Sequence, residues 1–545
     1  MHPKGHLLIH TYLFEAKSIQ SYIFATNKLK EIIGGSELIE QLTAEDGLVK
    51  QTVKSLGIEP NITFSRLGGA AFYAFSEDQE AIDKLVMIWP LVFRQYAPDM
   101  EFIHARAAHN STIEAFKNAH TQLMEDRNRP NVKLPQASVY TLRFSRTGEP
   151  VTLKNKKTYD QVTARKLLPA FANSDTLAQR VMWDSHRGEW PVNLNHEEDQ
   201  DGNDFPFMPD NRLIGLIHAD GNGLGQLLMD LKKVIDSKDK QIITDQNYIE
   251  IFSSISNAIK EATEAAAASA VGTVLFANME RGLFPARPIV LGGDDLTMIV
   301  RADLALPFTQ VFLAAFELES KNQFNKIREK YPKLEKILPE KLTACAGIVY
   351  AHSSQPFSAL HELAEGLCKQ AKKFAKKEEN LLDKKKLVPS SLSFYRVTST
   401  LMDNLEDVLK RELTTGNITL TRSCYTVSEH HNLPKLTDLL DLQHFLENSE
   451  VSKGALRQVT GLLHQSAEQA QRRYDRWEEV MHERDPKNWK TFNDLRTKLS
   501  HFDEQEKTST DFNIEHKQAV PFEDVLSLIA VKNHIYPPKQ QEQLV

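Results

Sequence analysis

Three carboxylates raise the first chemical question. Asp294 and Asp295 sit side by side in PIVLGGDDLTMIV (288–300), between two runs that read as β-strands. Adjacent acids at a tight turn repel each other and resist desolvation, so the arrangement calls for a compensating charge. Asp220 closes the apolar run RLIGLIHAD (212–220), and GNGLGQLLMDLKKVI after it has helical spacing. Carboxylate oxygens suit Mg2+ or Mn2+, which bind through a few acids plus substrate phosphates. If the two strands are neighbours, the three acids converge at one sheet edge. Two cations about 4 Å apart can align a 3′-hydroxyl against an α-phosphate and neutralise a leaving pyrophosphate, with no protein nucleophile. Gly292 and Gly293 fit this chemistry, because glycine accepts positive φ and lets a phosphate approach the backbone without meeting a Cβ.

Each feature also has a plainer reading. Gly and Asp are the ordinary residues of hairpin turns. What favours chemistry is that LTMIV follows the acids at once, which puts them at the start of a buried strand. Asp220 is equally a candidate helix N-cap. DGNGLG looks like part of a calcium loop, but Leu224 holds a position that needs an oxygen ligand. The same glycines after a strand invite a dinucleotide reading, yet Gln226 stands at the third glycine of GxGxxG. His218 reads as a packed histidine. The lysines of 369–386 read as a solvated helix face, with Lys372 and Lys373 nearest its apolar side.

The elements that must position these residues come in two similar series. In the first, HLLIHTYLFEA (6–16) reads as a strand and SIQSYIFATNKLKEII as a helix. A further helix starts at GGSELIEQL (34–42), with Ser36 as its N-cap. NITFSRLGGAAFYAFSE (61–77) is a hairpin, the next helix runs until Pro90 disturbs it, and 100–109 is a strand. In the second series a strand ends at Asp220, and two helices, the hairpin of 287–303, a long helix and the strand 342–352 follow. A helix over 358–377 and a strand over 390–398 complete it. Self-similarity over about a hundred residues points to a duplicated α/β unit. Ala70 and Ala71 stand in the first copy where Asp294 and Asp295 stand in the second, so acid chemistry is confined to the second.

The 545 residues are 41% hydrophobic and 26% charged, enough for several cores. A net charge of −7 argues against a protein that coats nucleic acid. The three cysteines, Cys345, Cys368 and Cys424, form no CxxC pair, so neither a disulfide framework nor a cysteine zinc site is expected, and a reducing cytoplasm is. The sequence has no run of eighteen apolar residues and no export signal, so no membrane association is expected. We expect four regions: a first palm-like unit with the GGAA hairpin (1–110), a polar connector (111–205) ending in an acidic loop at 195–205, a second unit with GGDD (206–398) and an α-helical C-terminal domain (399–545) with a frayed tail.

The combination of IHADGNGLGQLL, PIVLGGDDLTMIV, ACAGIVYAHSSQPFSALHELAEGLCKQAKK and SIQSYIFATNKLKEIIGGSELIEQL resembles the CRISPR polymerase family. These are the large palm-domain subunits of type III CRISPR effector complexes, related to GGDEF and adenylate cyclases. The resemblance implies duplicated ferredoxin-like α/β palms plus a helical C-terminal domain. It also implies conversion of ATP to a cyclic oligonucleotide messenger in antiviral defence. Asp220, Asp294 and Asp295 become metal ligands for Mg2+ or Mn2+, with the backbone of Gly221 near the same site. Gly292 and Gly293 would face the triphosphate, Lys372 would contact phosphate, and Gly35 and Ser36 would lie against nucleotide from the first palm. Partners implied are RNA or other CRISPR-type subunits; a homo-oligomer stays open.

The departures from the family pattern are specific. No His-Asp dipeptide occurs, so the HD nuclease is not expected, and 110–205 lacks the cysteines of a zinc site. Asn222 stands where relatives commonly carry a second acid. A reduced family member is expected, working as a nucleotidyltransferase or, alternatively, as a non-catalytic nucleotide-binding or scaffold subunit.

Overall fold

The computed structural model describes residues 8–44, 46–128, 138, 140–154, 158–183, 187–194, 204–207, 212–236, 243–377, 381, 387–398, 404–422, 424–428, 433–499, 501–502 and 518–535. Most of the acidic loop expected at 195–205, part of the lysine run of 369–386 and the tail beyond Ile535 lie outside these residues.

The first series folds as β1 (Ile9–Lys17), α1 (Ile19–Phe24), α2 (Leu29–Thr43), α3 (Leu48–Ser55), β2 (Thr63–Gly68), β3 (Ala71–Ser76), α4 (Gln79–Tyr96), β4 (Glu101–His109) and α5 (Thr112–Asp126). Its sheet has the order β2-β3-β1-β4 and is antiparallel throughout. Between the two series lie β5 (Val151–Lys154), β6 (Thr158–Asp160), α6 (Gln161–Lys166), α7 (Pro169–Ala172) and α8 (Thr176–Gln179). The second series is β7 (Leu213–Asn222), α9 (Leu224–Asp236), α10 (Tyr248–Ala270), β8 (Ala286–Gly292), β9 (Asp295–Arg301), α11 (Ala302–Lys330), β10 (Thr343–His352), α12 (Phe357–Ala375) and β11 (Ser391–Arg396). The four strands β8-β9-β7-β10 repeat the order of the first sheet, and β11 extends it by parallel pairing with β10. Alternating antiparallel strands with helices on them make a mixed α/β palm in both halves.

The last region holds α13 (Leu405–Glu412), β12 (Thr414–Thr415), β13 (Ile418–Thr419), β14 (Tyr425–Thr426), α14 (Leu436–Asn448), α15 (Lys453–Leu463), α16 (Ala467–Arg484), α17 (Pro486–Leu499), β15 (His501–Phe502), β16 (Gln518–Ala519) and α18 (Phe522–Ile535). It is predominantly helical, as expected, with one addition. Among the described residues five two-residue strands occur, four of them joined in a small sheet and β14 added to the edge of β11. Pairs this short carry no readable period of two.

Two local expectations are corrected. Pro90 does not end its helix, and α4 continues to Tyr96. Leu85, Trp89 and Phe93 are fully buried on either side of the proline, and their burial, about 1.5–3 kcal/mol each, outweighs one lost backbone bond. Nor does a helix start after the glycines at 34 and 35. Helix α2 begins at Leu29 and carries both glycines inside it, so Ser36 is a helix-interior residue and not an N-cap. The polar stretch from 111, read as connector, opens with α5. Its Ala119 and Leu123 pack with Leu13, Ile103 and Ala105 of the first sheet.

Candidate functional site

Register sets the acids. Asp220 lies directly opposite Asp295 on neighbouring strands β7 and β9, and Gly292 opposite Asp295 on β8. Asp220 sits inside β7, which runs two residues further to Asn222, so it is not a helix N-cap. Asp294 is the second turn residue of the hairpin, after Gly293, whose φ of 61° is left-handed backbone that glycine takes without cost. The threonine Oγ1 of Thr263 on α10 donates to the Gly293 carbonyl at 2.7 Å and fixes the turn. One carboxylate oxygen from each of Asp220, Asp294 and Asp295 lies within 4.8 Å of the others. The meeting of strand end and hairpin is therefore present.

The backbone beneath the acids has no spare room. A Cβ on Gly221 would stand 2.7 Å from Asp294 Oδ2 and 2.8 Å from Asp294 Cβ. Only glycine at 221 allows the hairpin acid to close on Asp220. Burial, then the neighbouring Asp220, pushes the Asp294 carboxyl up to about 6. Burial, followed by Asp294 and Asp220, also holds Asp295 well above the usual carboxylate range. Bringing these groups together costs the fold unless a cation is present.

One cation comes from the protein. The Lys372 ammonium, near the end of α12, pairs with Asp220 Oδ2 and donates to the Gly221 carbonyl at 2.9 Å. Burial lowers its proton affinity, but Asp220 beside it more than restores it and leaves Lys372 above the usual lysine value. His218, two residues before Asp220, is buried against Thr297 Oγ1 at 3.1 Å, as a packed histidine should be. Asn222 is turned away into the sheet: its amide donates to Thr343 Oγ1 and Cys345 Sγ, and its Oδ1 is buried without a partner.

The first-palm residues sit differently from one another. Ser36 is buried and its hydroxyl donates to the Ile289 carbonyl on β8, the strand leading into the GGDD turn. Gly34 and Gly35 make room for α6: a Cβ on Gly34 would meet the Lys166 carbonyl oxygen at 1.9 Å, and one on Gly35 the Lys166 Cε at 3.2 Å. The two hairpins also approach each other, with a Cβ on Gly292 falling 3.9 Å from Gly69 Cα.

Sequence reasoning passed over Glu15. On β1 it lies opposite Ala71, as Asp220 lies opposite Asp295, so the first sheet carries an acid at the position equivalent to Asp220. Tyr73 donates to its carboxylate and Arg66 stands 3.5 Å away. Laying YLFEAK over GLIHADG by strand position would have found it. The three cysteines, distant in sequence, are all buried in one cluster behind α12, free and unpaired with each other.

Residues 213–381 match the family model for Cas10/Cmr2, second palm domain. This segment is similar to the second palm of the family that the sequence motifs resemble. The matched range runs from the first residue of β7 past the end of α12, and so contains all three carboxylates and Lys372. No curated protein matches the chain. Solved structures similar to this chain include the Csm1-Csm4 cassette in complex with cA3, at 12% identity and a TM-score of 0.48, covering 96% of this chain and 69% of that one. The cassette in complex with one ATP has 13% identity and a TM-score of 0.43, with 96% and 70% covered. Csm1 in T. onnurineus has 13% identity and a TM-score of 0.42, with 96% and 69% covered. Among the described residues, no helix is long and apolar enough to cross a membrane.

Proposed function

We propose that this chain is a nucleotidyltransferase that joins ATP 3′ to 5′ into a cyclic nucleotide messenger, in an antiviral role in the cytoplasm. The observation that carries the reading is the convergence of Asp220, Asp294 and Asp295, with oxygens within 4.8 Å of one another, on a Cas10/Cmr2 palm. An all-oxygen donor set fits a hard divalent cation such as Mg2+ or Mn2+. Burial, and then the mutual proximity of the acids, raises the proton affinities of Asp294 and Asp295, and a divalent cation held there would offset both. A bound ion of this class supplies charge neutralisation at the phosphates and acidifies the attacking hydroxyl.

The chain's own part is placement. Asp220 and Asp295 are fixed by ladder pairing on rigid strands, and Gly221 keeps Asp294 against them. Gly293 offers a turn without a side chain, open to a triphosphate. In the reaction the 3′-oxygen of one nucleotide forms a bond to the α-phosphorus of the next. The bond between α-phosphorus and bridging oxygen breaks, pyrophosphate leaves and the hydroxyl proton is released. Lys372, held on Asp220 and the Gly221 carbonyl, is the ammonium that would be in reach of a phosphate oxygen there.

One observation favours a second reading. Because Lys372 already neutralises Asp220, the site can rest without a cation, as a binding or scaffold subunit would require. Incubation with ATP and Mg2+ or Mn2+, followed by mass spectrometry, separates the two. The enzyme reading requires a phosphodiester product that Asp294→Asn and Asp295→Asn each reduce on the order of 100-fold or more. No product, with or without added RNA, leaves the binding module.

A further inference from the structure

At the far end of the second-palm sheet lies a cavity that the palm chemistry does not use. Arg396 ends β11 and pairs with Tyr350 of β10, which pairs with Gly215 of β7, five residues before Asp220. Five residues of strand span roughly 17 Å, so the cavity and the carboxylates occupy opposite ends of the same strands. The cavity measures about 400 Å³ and is walled by β11, α13, α15 and α18.

Its charges are unevenly matched. Arg396, Arg411, Arg457 and His464 face it, with Glu412, Glu523 and Asp524. Two of the acids are committed elsewhere. Glu412 takes the Arg411 guanidinium at 2.9 Å and the Tyr395 hydroxyl. Asp524, on the floor, accepts from the Tyr425 hydroxyl and from the Arg422 backbone N–H at 2.9 Å. That leaves Glu523 as the acid facing the guanidinium groups of Arg396 and Arg457, with His464 on the same wall. Burial holds Glu523 above the usual carboxylate range, which weakens even this balance. The Arg396 Nε is buried and has no hydrogen-bond partner. A buried donor without an acceptor is a cost to the fold, and a ligand oxygen removes it.

We propose that this cavity binds a phosphate-bearing ligand of mononucleotide size. Guanidinium groups match phosphate oxygens with paired, planar donors and hold a dianion better than a single ammonium does. The volume falls in the range of small-molecule sites and exceeds what inorganic phosphate needs. Phe394 and Leu413 add apolar wall, and Thr398 and Thr460 add hydroxyls. The site is independent of the palm carboxylates, so it stands whether or not the chain makes a cyclic nucleotide.

The test is isothermal titration calorimetry on the full chain in EDTA, in an Asp294→Asn, Asp295→Asn background that silences the palm. AMP, inorganic phosphate and adenosine are the probes. AMP binds, adenosine binds at least tenfold more weakly, and Arg457→Ala and Arg396→Gln each weaken AMP at least tenfold. Phosphate binding as tightly as AMP overturns the mononucleotide size and leaves a site for the free anion only. Equal affinity for AMP and adenosine, unchanged binding in both arginine variants, or no binding of AMP or phosphate at millimolar concentration overturns the proposal. Arg457 is exposed, so its variant keeps the parent's melting temperature. It decides the question even if Arg396→Gln unfolds.

Discussion

Asp220 and Asp295 face each other across one ladder position of β7 and β9, and Asp294 reaches the same point from the turn. Strand pairing thus creates a like-charge cluster that no side-chain rearrangement disperses. Lys372 offsets one of the three charges, and the Asp294–Asp295 pair remains a cost to the fold at neutral pH.

That penalty has a sign. Asp294 holds its proton up to about 6 in the fold against 3.8 for the free side chain. A carboxyl raised in the fold destabilises fully above the folded value and not at all below the unfolded one. Asp294→Asn therefore raises the metal-free protein's stability at pH 7.5 by about 1–3 kcal/mol. The gain over the parent shrinks steadily from pH 6 towards pH 4. Urea melts of both proteins across that range, in EDTA, check it; a gain that grows on acidification contradicts it.

Gly221 is the narrowest point of the site. Because a Cβ there would overlap both Asp294 Oδ2 and Asp294 Cβ, Gly221→Ala forces the hairpin acid away from Asp220. We expect divalent-cation affinity to fall tenfold or more while the melting temperature moves little. Mn2+ titration followed by electron paramagnetic resonance reads the first, and calorimetry the second.

Lys372 is the resident counter-ion. Its side chain is 14% exposed and that of Asp220 38%, so solvent moderates the pair and its loss costs about 1 kcal/mol. Lys372→Met lowers stability by that amount in EDTA. Added Mg2+ returns the loss in proportion to occupancy, because the ion binds only the folded site. Denaturant midpoints with and without Mg2+ measure both effects.

How much of this was legible follows from what kind of signal each residue carries. The GGDD turn and the strand ending near Asp220 could be read because turn chemistry and apolar runs are local. The repeated order of elements could be read for the same reason, and it returned as two sheets with one strand order. Ser36 was misread because two glycines normally stop a helix. Here they stay inside one, since the α6 backbone comes so close at Gly34 that any Cβ collides. Lys372 was visible as a lysine near an apolar face, but helix spacing does not say which strand end its tip reaches. Glu15 was hidden by attention to the hairpin, though its ladder position mirrors that of Asp220.

The Gly34 contact gives its own test. Gly34→Ala places a methyl group 1.9 Å from a backbone oxygen that no rotamer change moves. Stability falls by about 2–4 kcal/mol. Helix α2 then shifts, taking with it the Ser36 hydroxyl bond to Ile289. Ser36→Ala removes that bond alone and costs about 1 kcal/mol. Thermal melts of the two variants distinguish a displaced helix from a lost bond.

The first palm cannot be revived by restoring its acids. Ala70 and Ala71 occupy the Asp294 and Asp295 positions, Glu15 the Asp220 position, and Ala70 already has the φ of 56° that a turn aspartate tolerates. Yet Ala70 and Ala71 are 1% and 2% exposed, and Glu15 is held by Tyr73 and Arg66. Carboxylates introduced there would be buried beside an acid whose cation is already supplied. Ala70→Asp with Ala71→Asp lowers stability by about 2–5 kcal/mol. In an Asp294→Asn, Asp295→Asn background it yields no nucleotide product above that background. Adding Arg66→Ala frees Glu15 but leaves the new acids buried, so product still does not appear. Phosphodiester formation by the quadruple Ala70→Asp, Ala71→Asp, Asp294→Asn, Asp295→Asn protein would show instead that strand register alone makes the site.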